Sequence, residues 1–280
     1  MILSLPAALL AVLFSAPAPQ QTAESRTALV TVSDARNRSI VDLGPDDFVI
    51  TERGQSREIL DARPADYPIV VLVDAGAAAR SGFPEIRRAV GRFLARLGQR
   101  AVELGTLGDP PATLATFDDE RSVVMERLER MTVGEEGNTL ALQAAAAAAR
   151  RLRDAGSRFS AIVIVSASPV DASRGTPEDL FPPVIDSGAV VHAIVNRGTP
   201  ETPLGGAMEY VRRLVDQTHG QFTPIYSAAS YQVALDRLAD RLASEMMIEY
   251  IVPPRSAATD IQVGVRIPGA RAHGLGVRPR

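Results

Sequence analysis

The sequence predicts an α/β fold in which a mostly parallel sheet carries helices on both faces. Two observations carry this. Three short apolar runs, Ile69–Val73, Ile162–Val165 and Val190–Val195, are continuous and rich in β-branched residues, as in strands covered on both sides. Segments with helical periodicity lie between them, and strands alternating with helices imply βαβ units.

The elements follow in order. Residues 27–60 read as β: Ala28–Val32, a turn at Asp34–Arg38, then Ile40–Leu43, Asp47–Thr51, a turn at Arg53-Gly54, and Gln55–Leu60 closing a hairpin. Such a segment is too small to fold alone and needs a surface to pack on. Phe83, Ile86, Val90, Phe93, Leu94 and Leu97 fall on one face of a helix. Ala101–Thr106 and Ala112–Thr116 flank Gly108-Asp109-Pro110-Pro111 and read as a β-hairpin. Leu140–Leu152 is alanine-rich and helix-prone, and Ala144–Ala149 suits a close-packed helix face. Leu235, Leu238, Leu242 and Met246 form another apolar stripe. Ile248–Val252 and Ile261–Ile267 return to β. The expected organisation is a signal peptide over 1–20, an N-terminal β segment over 21–65, an α/β domain over 66–247, and a C-terminal β segment over 248–280. The two β segments are expected to join in one small sheet.

Composition excludes several chemistries. The chain has 280 residues, a formal charge of −3 and no cysteine, which removes thiol catalysis, disulfides and thiolate metal sites. All 30 basic residues are arginine, so a Schiff-base or P-loop lysine is impossible. The near-neutral charge balance speaks against nucleic acid as a partner. Residues 1–20 carry no charged side chain, and Leu9–Phe14 precede a small-residue region, as in a secretory signal cleaved between residues 16 and 23. The apolar run is short for a membrane span, so the mature chain is expected to be exported without one.

Candidate chemistry centres on Asp74, at the carboxyl end of the first buried strand, where open α/β sheets place their functional loops. No G-x-S-x-G or G-x-G-x-x-G follows a strand. The acidic pairs Asp46-Asp47, Asp118-Asp119 and Glu135-Glu136 read as solvated turns or helix starts. His192 lies inside an apolar run and reads as a core or sheet-edge histidine; His219 and His273 have no partner at ligand spacing.

The order of these elements resembles von Willebrand factor type A domains. The resemblance runs through Asp74, the helix over 83–97, the hairpin over 101–116, Gly137-Asn138-Thr139, the two further buried strands, and Thr218-His219-Gly220 before a sixth strand. The flanks Val32–Ile59, Glu249–Pro254 and Ile261–Val265 resemble those of VWFA-related secreted bacterial proteins. The resemblance implies a Rossmann-like VWA domain with a six-stranded sheet and a metal-ion-dependent adhesion site. Here Asp74 and Thr139 match that site's ligands, but Gly76 and Ala78 stand where serines are expected, and Ala167 where an aspartate is expected. The expected reading is therefore an exported, non-enzymatic interaction or scaffold module that takes no cofactor and meets an extracytoplasmic protein partner. Its partner-facing loops would be 74–82, 107–111, 134–139, 166–176 and 196–206. Two alternatives remain open at this point. One is a rebuilt Mg²⁺ or Mn²⁺ site at Asp74 and Thr139, completed by Asp109, Asp118 or Asp171. The other is a hydrolase using Asp74.

Overall fold

The computed structural model describes residues 24–134 and 137–279. The expected signal segment and the Glu135-Glu136 pair lie outside the described residues.

The chain opens with β1 (Glu24–Ser33), β2 (Phe48–Glu52), β3 (Gln55–Arg57) and β4 (Ile59–Pro64). The α/β body follows as β5 (Ile69–Val73), α1 (Phe83–Arg96), β6 (Val102–Thr106), β7 (Thr113–Ala115), α2 (Arg121–Arg130) and α3 (Ala141–Asp154). It continues through β8 (Ser160–Ser166), β9 (Val170–Asp171), α4 (Pro177–Ser187), β10 (Ala189–Asn196) and β11 (Gly205–Gly206). It ends with α5 (Met208–Gln217), β12 (Phe222–Ile225) and α6 (Ser230–Ala243). The tail forms β13 (Glu245–Val252), β14 (Ile261–Val265) and β15 (Arg271–Pro279).

The central sheet has six strands in the order β12-β10-β8-β5-β6-β7, all parallel except β7. Alternation along β5 shows why its sequence is apolar throughout. Ile69, Val71 and Val73 enter one core, beneath α1 and α6, while Val70 and Leu72 enter the other, against α3 and α5. Ala144, Ala145, Ala148 and Ala149 are buried in the second core, where small side chains let α3 lie close to the sheet and to α4. Gly220 serves the same end at the turn into β12: a Cβ there would fall 1.7 Å from the Val191 carbonyl oxygen.

Both chain ends contribute to a β-sandwich, built from two sheets where one was expected. One sheet is ordered β15-β1-β13-β4 and the other β14-β2-β3. Ala28, Val30, Val32, Ile248 and Tyr250 meet Phe48 and Ile50 between the two sheets. The opposite face of the first sheet turns Leu29 and Met247 into the core of the α/β body. That sheet is thus covered on both sides, which satisfies the need of the terminal segments for a packing surface.

Several local expectations change. Ile40–Leu43 forms no strand, because only Ser39 bridges to Ser33 before the chain turns away. Gln55–Leu60 splits between the two sheets, with β3 pairing β2 and β4 pairing β13. Met246 belongs to β13, since α6 stops at Ala243. His192 sits on β10, between β8 and β12, and is not at a sheet edge.

Candidate functional site

The carboxyl ends of β5, β6 and β8 lie side by side, and their loops are bound to one another through the backbone. Leu107 N–H donates to the Val73 carbonyl, Leu140 N–H to Leu107, Gly134 N–H to Ala75, and Ala172 N–H to Thr139. Asp74 occupies the centre of this knot with no exposed surface. Gly76 N–H donates to its Oδ1 at 3.0 Å. Thr139 Oγ1 and Ala167 N–H each donate to Oδ2 at 3.0 Å. Ser166 Oγ stands 3.3 Å from Oδ2 and shares its single proton with the Ser168 carbonyl at 2.9 Å. Tyr231, from α6, closes the floor by donating to the Ser166 carbonyl at 2.7 Å. Burial, and secondarily the charge of Asp74, pushes the Tyr231 hydroxyl well above its ordinary range, so it stays a donor.

Asp171 caps α3. Its Oδ1 accepts from Ala141 N–H at 2.9 Å and its Oδ2 from Leu142 N–H at 3.1 Å, so it takes up two of the helix's otherwise orphaned donors. Ser173 adds its N–H and hydroxyl to Oδ1 at 3.1 and 2.9 Å. Burial raises the Asp171 carboxyl, and these hydrogen bonds oppose that rise. Asp171→Asn, which puts an amide N–H₂ where an acceptor is needed, is expected to cost about 1–2 kcal/mol in urea unfolding. An unchanged midpoint would remove the capping role.

The structure is similar to von Willebrand factor type A from Catenulispora acidiphila, with a TM-score of 0.55 at 12% identity, over 93% of this chain and 74% of that one. This chain has the von Willebrand factor type A fold. A match of that extent takes in the flanking strands as well as the α/β body of the VWA-type domain. The structure is also similar to proximal thread matrix protein 1 from the mussel byssus, with a TM-score of 0.51 at 12% identity, over 75% of this chain and 49% of that one. The chain thus spans about half the length of the mussel protein. No protein-family model and no curated protein matches the chain. Likeness at this identity establishes the fold alone.

The VWA-type fold implies a divalent ion at this position, and the residues present do not fit one. Octahedral Mg²⁺ needs oxygen ligands with free lone pairs. Gly76, Ala78 and Ala167 offer no side-chain oxygen, and Asp74 and Thr139 are hydrogen-bonded to each other. Ala78 is exposed on a short 3-10 turn, outside the knot.

The three carboxylates expected as substitute ligands do not converge on Asp74. Asp171 is bound to the start of α3. Asp118 follows β7, which runs antiparallel to β6, so it sits at the opposite end of the sheet. Asp109 is exposed on the hairpin loop. Among the described residues no three acidic or histidine side chains group as a metal site. Asp74 is also shut away from any substrate, which leaves the hydrolase alternative without an accessible carboxylate. Sequence reasoning missed Ser166 and Tyr231 as members of the knot. The Tyr231 contact spans 65 residues of chain and leaves no local signal.

Proposed function

We propose that this chain is an exported, non-enzymatic interaction module whose loops at the carboxyl ends of the sheet strands hold a protein partner without a metal ion. One observation carries the reading: the Asp74 carboxylate, which would anchor a cation, has its oxygens taken up by Gly76 N–H, Thr139 Oγ1 and Ala167 N–H. Those hydrogen bonds take the place of ion coordination and hold the loops in one arrangement. The VWA-type fold supports an interaction role. The leader-like composition of residues 1–20 supports export, and no helix among the described residues is long and apolar enough to cross a membrane.

The partner surface is the rim of the knot, not its centre. Loops 166–176 and 196–206 contribute exposed Gly, Pro and Thr there, together with Val170, which is half exposed. The test is a calorimetric titration of Mg²⁺ and Mn²⁺ into the chelator-stripped full chain and into Asp74→Asn, paired with cross-linking to extracytoplasmic partners with and without EDTA. The expected result is no binding heat and a cross-linked adduct indifferent to EDTA. Micromolar to low-millimolar binding that disappears in Asp74→Asn, or an adduct lost in EDTA, would overturn the reading in favour of a rebuilt cation site.

A further inference from the structure

At the far end of the sheet from Asp74, the first sandwich sheet meets the foot of the α/β body. A cavity of about 350 Å³ opens along this seam beside β15. Its walls bring together Arg241 from α6, His219 from the turn before β12, and His273 from β15. Leu29 and Leu275 provide an apolar floor. Glu245, at the start of β13, is the carboxylate on its wall.

Three features set this cavity apart. Arg241 is half-buried, yet among the described residues its guanidinium forms no hydrogen bond or ion pair, and the same holds for both imidazoles. A partly desolvated guanidinium with no direct hydrogen bond has donors free for an anionic ligand. The local charge is unbalanced as well. Glu245 accepts a hydrogen bond from the Tyr67 hydroxyl and feels both Arg100 and Arg241, so one carboxylate faces two guanidiniums. Arg100 is otherwise engaged, stacked 4.8 Å over the Tyr67 ring and donating to the Leu242 carbonyl at 2.7 Å. Arg241 makes neither kind of contact, and it forms no direct ion pair with its charged neighbour Glu245. Finally, the volume lies in the range of small-ligand sites and combines a few converging polar groups with an apolar floor.

We propose that this seam binds a carboxylate carried on a short apolar body, with Arg241 as the charged anchor, His219 and His273 as flanking donors, and Leu29 and Leu275 against the apolar part. Such a group is offered by a free aliphatic acid or by the C-terminus of a peptide ending in an apolar residue. The site is independent of the loop knot at Asp74, and the proposal stands or falls apart from the partner reading above.

The chain has only three histidines, and two of them, His219 and His273, line the cavity, so their imidazole NMR signals report the site directly. Hexanoate and an acetylated dipeptide ending in leucine are titrated into the full chain, with hexanol as the uncharged control. The expected result is saturable movement of the His219 and His273 signals by the carboxylates and not by hexanol, weakened at least about tenfold in Arg241→Gln. Tighter binding of the dipeptide identifies a chain terminus and tighter binding of hexanoate a free acid; either supports the site. Signals that stay fixed, move equally with hexanol, or respond unchanged in Arg241→Gln would overturn it. If Arg241→Gln fails to fold, His219→Gln read at the His273 signal serves instead, with a few-fold weakening expected and an unchanged affinity overturning the proposal.

Discussion

Asp74→Ala is expected to lower the unfolding free energy by about 3–5 kcal/mol, the scale for leaving several buried polar groups without a partner. The carboxylate is fully buried and accepts from Gly76 N–H, Thr139 Oγ1 and Ala167 N–H, with Ser166 Oγ in partial reach. Alanine would leave these donors facing an apolar gap too small and too enclosed to rehydrate them all. Asp74→Asn keeps the volume and one acceptor oxygen but turns an N–H₂ toward donors, so a smaller loss of about 2 kcal/mol is expected. Urea unfolding of the three proteins gives the order wild type, Asn, Ala. The order separates a structural carboxylate from a cation ligand. Were Asp74 a working ligand, adding Mg²⁺ would raise the stability of the wild type alone, by mass action on the folded state. Equal stability of wild type and Asp74→Ala would mean that the hydrogen bonds do not hold the loops.

Legibility in the sequence followed the range of the interaction. Ile69–Val73 was legible because a strand covered on both faces has no polar position, and α1 because Ile86, Val90, Phe93 and Leu94 mark its buried stripe. Two helices left weaker traces. In α2 only Val124 and Leu128 are buried on an otherwise polar segment, and α4 carries Pro182 and Pro183 in its interior. The spacing of Met208, Val211 and Val215 in α5 does mark a buried stripe. β15 falls inside the β segment expected over 248–280, but its own bounds were not legible because Gly274 and Gly276 interrupt its apolar alternation.

The candidate site divided along the same line. Asp74, Thr139 and Ala167 were identifiable by their place in an ordered pattern, and the structure brings them into direct hydrogen-bonding contact. Which carboxylates belong with them was not legible. Asp171 is close to the knot in space, yet its oxygens point to the start of a helix 30 residues upstream in the chain. Asp118 is close to the hairpin in sequence, yet the antiparallel direction of β7 carries it to the other end of the sheet. Residue type and proximity along the chain nominate ligands; strand direction and competing backbone donors decide among them.

His192 is expected to make the fold sensitive to mild acid. It is almost fully buried on β10, and its Nδ1 accepts from Gln221 N–H at 3.2 Å, which requires the neutral ring. Desolvation, with a smaller contribution from Arg241, lowers its pKa from 6.5 to about 3. The folded state therefore refuses the proton that the unfolded state accepts once the pH falls below about 6.5. Stability from this group is fully present above that value and drains away down to pH about 3, below which both states bind the proton. At one pKa unit per ~1.4 kcal/mol, about 2–3 kcal/mol should be gone by pH ~4.5. Asp171 and Glu245 act in the opposite sense. Burial raises both carboxyls, so their protonation on acidification favours the folded state. The measurement that isolates His192 is the difference in urea stability between near-neutral pH and pH ~4.5, compared between wild type and His192→Gln. Glutamine can still accept from Gln221 N–H but does not titrate. The variant should lose about 2–3 kcal/mol less on acidification than the wild type, whatever its baseline stability. Parallel losses in the two proteins would show that the imidazole is not held neutral in the fold.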